Sequence, residues 1–208
     1  MAIKLYKDDL PAGLSFGPVV AIDTETMGLN PHRDRLCLAQ LSAGDGNAHL
    51  VQFSRAASGG GGYKAPHLKA LLADPKVLKL FHFGRFDIAV LEHNLGVKCA
   101  PVYCTKIAAR LTRTFTDRFG LKDLCRELLG VDLSKQQQTS DWGAETLSEE
   151  QLTYAASDVL HLHALKAKLD TLLEREGRKN LADAAFKFLP DRARLDLAGW
   201  SEVDIFAH

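Results

Sequence analysis

The 208-residue sequence predicts an α/β fold, a mixed central sheet covered by helices on both faces. Three observations carry this. Short apolar runs rich in β-branched residues, separated by turn signals, fill the first half of the chain. Apolar residues at three- and four-residue spacing fill the second half. An acidic pair, Asp23 and Glu25, stands at the C-terminal end of one apolar run, where open α/β sheets place their sites.

Residues 3–6 alternate weakly and predict an edge strand. Residues 18–22 (PVVAI) predict a buried strand, after which Gly28-Leu29-Asn30-Pro31 breaks the extended chain. Residues 36–42 and 49–53 predict two strands joined through the turn Gly44-Asp45-Gly46-Asn47. The run 58–62 (SGGGG) predicts a surface loop; no P-loop lysine and helix follow it. A helix is expected over 65–73 with Pro66 near its start, a strand over 77–82, and a helix over 85–95 capped by Gly96. A short strand within 97–103 and helices over 105–113 and 121–129 follow, the last one flanked by Gly120 and Gly130.

Residues 134–142 are polar and aperiodic, hence a loop. Ser148 and Gln151 spell a capping box. It opens one long helix, ending at Gly177, that buries Leu152, Ala156, Val159, Leu162, Leu165, Leu169 and Leu172. A last helix over 180–189 is expected to stop at Pro190. Residues 1–208 read as one domain. Its tail, 191–208, carries Leu195, Leu197, Trp200, Ile205 and Phe206, which need cover from the domain itself or from a neighbouring subunit.

The chain has 26 basic and 26 acidic residues, so a long nucleic acid gripped along its length is disfavoured; a short or terminal substrate is compatible. Cys37, Cys99, Cys104 and Cys125 form neither a CxxC pair nor a zinc spacing, and read as reduced, buried thiols of a cytoplasmic protein. The first residues contain no secretory apolar region, and no apolar run is long enough to span a bilayer.

The chemistry lies in four carboxylates and a phenol. Asp23 and Glu25, two apart in extended chain, share one face. Asp87 follows the strand over 77–82, near the start of a helix. Tyr154 and Asp158, four apart, stand on one helix face. Four carboxylates on one spot repel unless a cation sits among them. Hard oxygen ligands with no cysteine or histidine select Mg²⁺ or Mn²⁺. Two such ions can clamp the attacking and leaving oxygens of a phosphodiester. Tyr154 would orient the attacking water or help deprotonate it. Each pair alone is common in proteins; the combination, in this order, is the signal.

Asp23-Thr24-Glu25, Phe86-Asp87 and Tyr154-Ala155-Ala156-Ser157-Asp158 resemble, in order, the three motifs of the DEDD exonuclease superfamily, the RNase D and proofreading type. The tyrosine four before the last aspartate marks the DEDDy branch; the histidine branch would want His at 153, where Thr153 stands. The stretch from Lys135 through Ser140-Asp141-Trp142 to Tyr154 also resembles RNase D. This resemblance covers about residues 15–175. It implies the RNase H-like (DnaQ-like) fold, two Mg²⁺ or Mn²⁺ ions held by Asp23, Glu25, Asp87 and Asp158, and 3'-5' exonuclease activity. A narrower resemblance is to the nanoRNase C family, through His82-Phe83-Gly84-Arg85-Phe86-Asp87 and the tail from Leu195 to His208. RNase D's C-terminal helical domains are expected to have no counterpart in residues 1–208. That family implies very short RNA, diribonucleotides above all, as substrate, and a homo-octamer.

The expected substrate contacts are Thr26, Met27, Leu29, His82, Lys135, Gln138 and Ser140. Leu29, projected by Gly28, resembles a leucine wedged between two bases, and ordinary core packing is its alternative. Thr26 and Met27 offer backbone to a 3' hydroxyl. His82 is either a substrate contact or a satisfied core histidine. Lys135, Gln138 and Ser140 would cap a 5' phosphate and exclude longer RNA, or are plain loop polarity. Trp142 reads as packing rather than base stacking. Two other functions stay open: a general RNase D-like trimmer of longer RNA or single-stranded DNA, and an inactive nucleic-acid-binding scaffold.

Overall fold

The strand that carries Asp23 and Glu25 lies inside a six-stranded sheet. The computed structural model describes residues 2–55, 63–134, 136, 137 and 139–207. Strands β1 (Ile3–Lys7), β2 (Val19–Thr26), β3 (Leu36–Ser42), β4 (Ala48–Gln52), β5 (Leu78–Phe81) and β6 (Val102–Cys104) run in the order β1-β4-β3-β2-β5-β6. β2, β3 and β4 form an antiparallel meander. β1 joins β4 in parallel at one edge, while β5 and β6 extend from β2 in parallel toward the other. The sheet is therefore mixed, as expected.

β3 and β4 are buried along their whole length, so apolar residues occupy both faces and strict alternation disappears. The polar residues trapped there are bonded. Gln52 Nε2 donates to the Ala144 carbonyl (2.9 Å), and Ser42 Oγ donates to the Asn47 carbonyl (2.7 Å). Lys79, fully buried in β5, donates from its ammonium to the carbonyls of Asp74, Val77 and Ala100.

The helices are α1 (Pro66–Ala73), α2 (Arg85–Leu95), α3 (Thr105–Thr112), α4 (Leu121–Leu124), α5 (Glu149–Leu160), α6 (Leu162–Arg175) and α7 (Lys179–Leu195). α4 runs on as a wider π-type turn over Cys125–Leu129, and α7 as another over Asp196–Trp200. α5 packs on β2, β3 and β4. The capping box is present: Ser148 Oγ accepts from Gln151 N (3.3 Å), and Gln151 Oε1 accepts from Ser148 N (2.9 Å).

Several expectations need correction. β2 is longer than the strand over 18–22, and Asp23 and Glu25 lie within it rather than after it. Antiparallel pairing with β3, Asp23 to Gln40 and Glu25 to Leu38, keeps these acidic residues in the ladder despite their poor strand propensity. The single helix over 149–176 is two, broken at His161 (φ −102°, ψ −5°). α5 follows the sheet while α6 follows α3 and the turn after α4, so the two halves obey different packing surfaces. Accordingly Ala155 and Leu173 are buried where Leu152 and Leu172 were expected. Pro190 does not end the last helix; α7 passes through it, with Phe186, Leu189, Pro190 and Ala193 buried. The lost N–H bond is offset by the packing of that face on α2 and β6. The strand expected within 97–103 begins only at Val102, after Pro101, which has no N–H for the ladder. The loop over 58–62 lies outside the described residues.

All four cysteines are free and buried. No described helix is long and apolar enough to cross a membrane. The tail is only partly covered: Leu197 packs against the core, while Trp200, Ile205 and Phe206 are exposed.

Ser148→Ala removes one side of the capping box at the start of the helix that carries Tyr154 and Asp158. The expected loss is about 1 kcal/mol, read as a lower urea midpoint with unchanged slope.

Candidate active site

Three chain segments meet at one point. In β2, alternation puts Asp23 and Glu25 on one face. α5 brings Asp158 to the same face. One carboxylate oxygen from each of these three residues lies within 4.8 Å of the others. Thr24, between the two acids, alternates the opposite way and donates from Oγ1 to Asp87 Oδ1 at 2.6 Å. Asp87, buried in the first turn of α2, is thus tied to the same strand but stands outside the three-oxygen group. Tyr154 is one helical turn before Asp158, close enough for the two groups to shift each other's protonation.

The electrostatics are those of acids forced together out of water. Burial, then the charges of Asp87, Asp158 and Glu25, pushes the Asp23 carboxyl well above its usual range. Burial, with Asp158 and Asp87 adding to it, raises Glu25 to about 9. Asp158 rises to about 7, chiefly through burial, opposed by the Tyr154 hydroxyl. Asp87 rises to about 6 through burial, opposed by the Thr24 bond. Burial and the charges of Asp158, Glu25 and Asp23 push the Tyr154 phenol up, so it is a hydrogen-bond donor rather than a phenolate base. A cluster of hard oxygens that resists ionisation by itself fits a divalent cation, which would neutralise what the protein leaves uncompensated.

A register irregularity between Glu25 and Thr26 turns the chain out of β2 into the loop that holds the expected substrate contacts. Thr26 Oγ1 donates to the Gly28 carbonyl at 2.5 Å, and Met27 N donates to the Arg35 carbonyl at 3.1 Å. Leu29 is 86% exposed, which removes ordinary core packing as its explanation. Gly28 is required by close approach: a Cβ there would lie 2.3 Å from Asp34 Oδ2. Asp34 in turn accepts from Asn30 N and from the Arg33 guanidinium.

His82 is held by Thr105, Nδ1 to Oγ1 at 2.8 Å, and burial, helped by Lys106, drops its pKa to about 3. Ser140 Oγ donates to the Gln137 carbonyl (2.8 Å) and accepts from Gln151 Nε2 (3.1 Å), so it fastens the loop to the capping box. Lys135 and Gln138 lie outside the described residues. Trp142 is 3% exposed, 6.0 Å from Tyr154 ring to ring, in keeping with packing. His161 and His163 do not act together; His163 Nε2 contacts the Val19 carbonyl.

Sequence reasoning missed the groups that hold these residues in place. Gln40 is Asp23's partner in the β2–β3 register, is fully buried, and directs Nε2 at Asp23 Oδ2 from 3.4 Å. Arg35 donates to the carbonyls of Phe53 and Gly143. Gly143 receives the Met27 thioether, whose sulfur would sit 2.3 Å from a Cβ there. Aligning the two hairpin strands finds Gln40; nothing in the local sequence finds the others.

A family profile described as 3'-5' exonuclease matches residues 8–174. The chain belongs to the 3'-5' exonuclease family. Among curated family members, Ribonuclease D of Gluconacetobacter diazotrophicus is 36% identical over 176 residues, covering 85% of this chain and 43% of that protein. The chain therefore spans less than half the length of such relatives. Among solved structures, Brucella melitensis NrnC with bound Mg²⁺ is 57% identical, with a TM-score of 0.93 and all of both chains covered. The same protein bound to pGG gives 57% and 0.95, over 100% of this chain and 99% of that one. Escherichia coli RNase D, an exoribonuclease involved in structured RNA processing, is 29% identical with a TM-score of 0.72, covering 85% of this chain and 45% of that one. The fold is thus the RNase H-like exonuclease fold expected above.

Glu25 and Asp158 bind protons more tightly in the folded protein than in the unfolded chain. Their contribution to stability is full below the ordinary carboxylate range and is lost as pH rises through about 7 and about 9. In EDTA the melting temperature should fall from pH 5 to pH 9. Saturating Mn²⁺ should raise it, by an amount that grows with pH, because the cation competes with protons for these oxygens. A metal-induced shift that does not change with pH would contradict the assignment.

Proposed function

We propose that the chain is a metal-dependent 3'-5' exoribonuclease that degrades very short RNA, diribonucleotides above all, to nucleoside 5'-monophosphates. The observation that carries this reading is the meeting of Asp23, Glu25 and Asp158 oxygens within 4.8 Å, with the Tyr154 phenol one helical turn from Asp158. Asp23, Glu25 and Asp158 would hold divalent ions, with Asp87 acting from its Thr24-anchored position beside them. When bound, the ions activate a water and stabilise charge on the attacking and leaving oxygens. Tyr154, kept protonated by its surroundings, orients the water through its hydroxyl. The neighbouring Asp158 carboxylate stands one helical turn away, on the same face as the phenol.

The short substrate follows from three supports. The Brucella NrnC structure at 57% identity holds pGG. Leu29 is exposed in the loop after Glu25 and so is free to wedge between two bases. The balanced charge supplies little of the phosphate attraction that long strands need. Lys135, Gln138 and Ser140 complete this reading as the 5' phosphate cap, and Thr26 and Met27 as backbone ligands of the 3' end. Self-association, an octamer by family resemblance, would cover Trp200, Ile205 and Phe206; light scattering on the purified protein measures it.

End-labelled RNAs of two to ten nucleotides, with and without Mg²⁺ or Mn²⁺, test the reading. Dinucleotides should be consumed fastest, and only with metal. Equal rates at all lengths would leave a general trimmer. Asp23→Ala and Asp158→Ala should each lower turnover at least about a thousandfold while circular dichroism stays unchanged. Tyr154→Phe should cost about a hundredfold with Mn²⁺ affinity retained; loss of metal affinity would remove the tyrosine's assigned role.

A further inference from the structure

Between the end of β5 and the start of α2, Phe83 is an exception on two counts. Its φ is +59°, and among the described residues it shares a positive φ outside glycine only with Asp8. Bulky residues avoid this left-handed region because Cβ crowds the backbone, whereas Asn and Gly enter it at little cost. Its ring is also 53% exposed, although its neighbours Phe81 and Phe86 are buried or packed against the core. A folding role would be served by Gly or Asn at this position, without a strained backbone or an aromatic ring in water. Strain retained at an exposed site points to function.

Two further observations say which function. The Lys106 ammonium, from the first turn of α3, sits 3.4 Å from the Phe83 ring centroid, and no carboxylate pairs with it among the described residues. One face of the ring thus has a free cation against it. The location adjoins the carboxylate cluster: Phe83 directly precedes Gly84, the N-cap of α2, whose first turn carries Asp87, which Thr24 of β2 holds. β5, paired to β2 through Ala21↔Leu80, ends at Phe81, two residues before Phe83, so this turn leaves the sheet beside the strand of Asp23 and Glu25.

We infer that Phe83 and Lys106 form a nucleobase platform beside this cluster, with a substrate base stacked on the open ring face and the Lys106 ammonium behind the ring, where it also attracts the adjoining phosphate. An aromatic face with a cation beside it suits single-stranded nucleotides, because every base has a π-face and every linkage an anion. Purines, with more surface, should gain more than pyrimidines.

The inference rests on the nuclease reading for its location, but its test does not need turnover. Isothermal titration with phosphorothioate diadenosine and diuridine dinucleotides in Ca²⁺ measures binding directly. Phe83→Asn should weaken the adenine ligand about tenfold and shrink the adenine-over-uracil preference. Mn²⁺ affinity should stay unchanged, and the melting temperature should not fall, because Asn tolerates this φ. Phe83→Tyr should restore binding, and Lys106→Met should weaken it by a smaller factor. Equal adenine and uracil affinities in Phe83→Asn and the parent, or a loss of binding matched by lost Mn²⁺ affinity and a lower melting temperature, would overturn the platform. A parent protein that binds dinucleotides but hydrolyses no RNA would instead overturn the nuclease reading and leave the platform standing.

Discussion

Buried carboxylates pressed against one another are the constraint on which this molecule is built. Asp23, Glu25 and Asp158 would each be more stable in water or farther apart. They stay together because β3 pairs with β2 along the acidic residues and α5 is packed across three strands. The rest of the sheet supplies the hydrophobic burial that offsets this local cost. β3 and β4 are buried throughout and contribute to it along their whole length. The position of the antiparallel meander beside two parallel strands is what makes the acidic strand an interior one.

The supporting groups work at different ranges. Thr24 fixes Asp87 from the strand itself, and Gln40 reaches Asp23 from the neighbouring strand. Arg35 and Gly143 bind the loop after β2 to the segment before α5. The loop bearing Leu29 and the helix bearing Tyr154 are therefore adjusted to each other through packed contacts, not through the acidic residues alone. At the far end, Arg85 opens α2 and clamps Asp196 and the Ser201 carbonyl, so the C-terminal turn braces the helix of Asp87. His32 meets the same turn through the Leu197 carbonyl.

Where local signals were strong, the chain could be read directly. The capping box at Ser148 and the glycine caps at Gly96 and Gly130 rest on chemistry within a few residues and stand in the structure as expected. Asp23 and Glu25 share a face because extended chain alternates, and Asp158 reaches them as the motif order implied. What escaped was set by tertiary contact. Pro190 sits inside a helix because its buried face outweighs one missing hydrogen bond. The break at His161 lies where one helix passes from the sheet to a helical neighbour. Gly28 was read as a turn residue; its role is to let Asp34 approach, and only the fold brings that carboxylate there. The bond from Thr24 to Asp87 has no local sequence signal, because it joins a strand to the start of a helix 63 residues on.

The chain has two tryptophans, and the fold has put them in opposite circumstances. Trp142 is enclosed against Tyr154 with its indole N–H unpartnered, while Trp200 is half in water in the C-terminal turn. The protein thereby carries its own optical gauge. A soluble quencher such as iodide is shut out from the first indole and reaches the second wherever self-association leaves it uncovered. The emission that survives therefore comes from beside the phenol, and it reports on the packing there without any label.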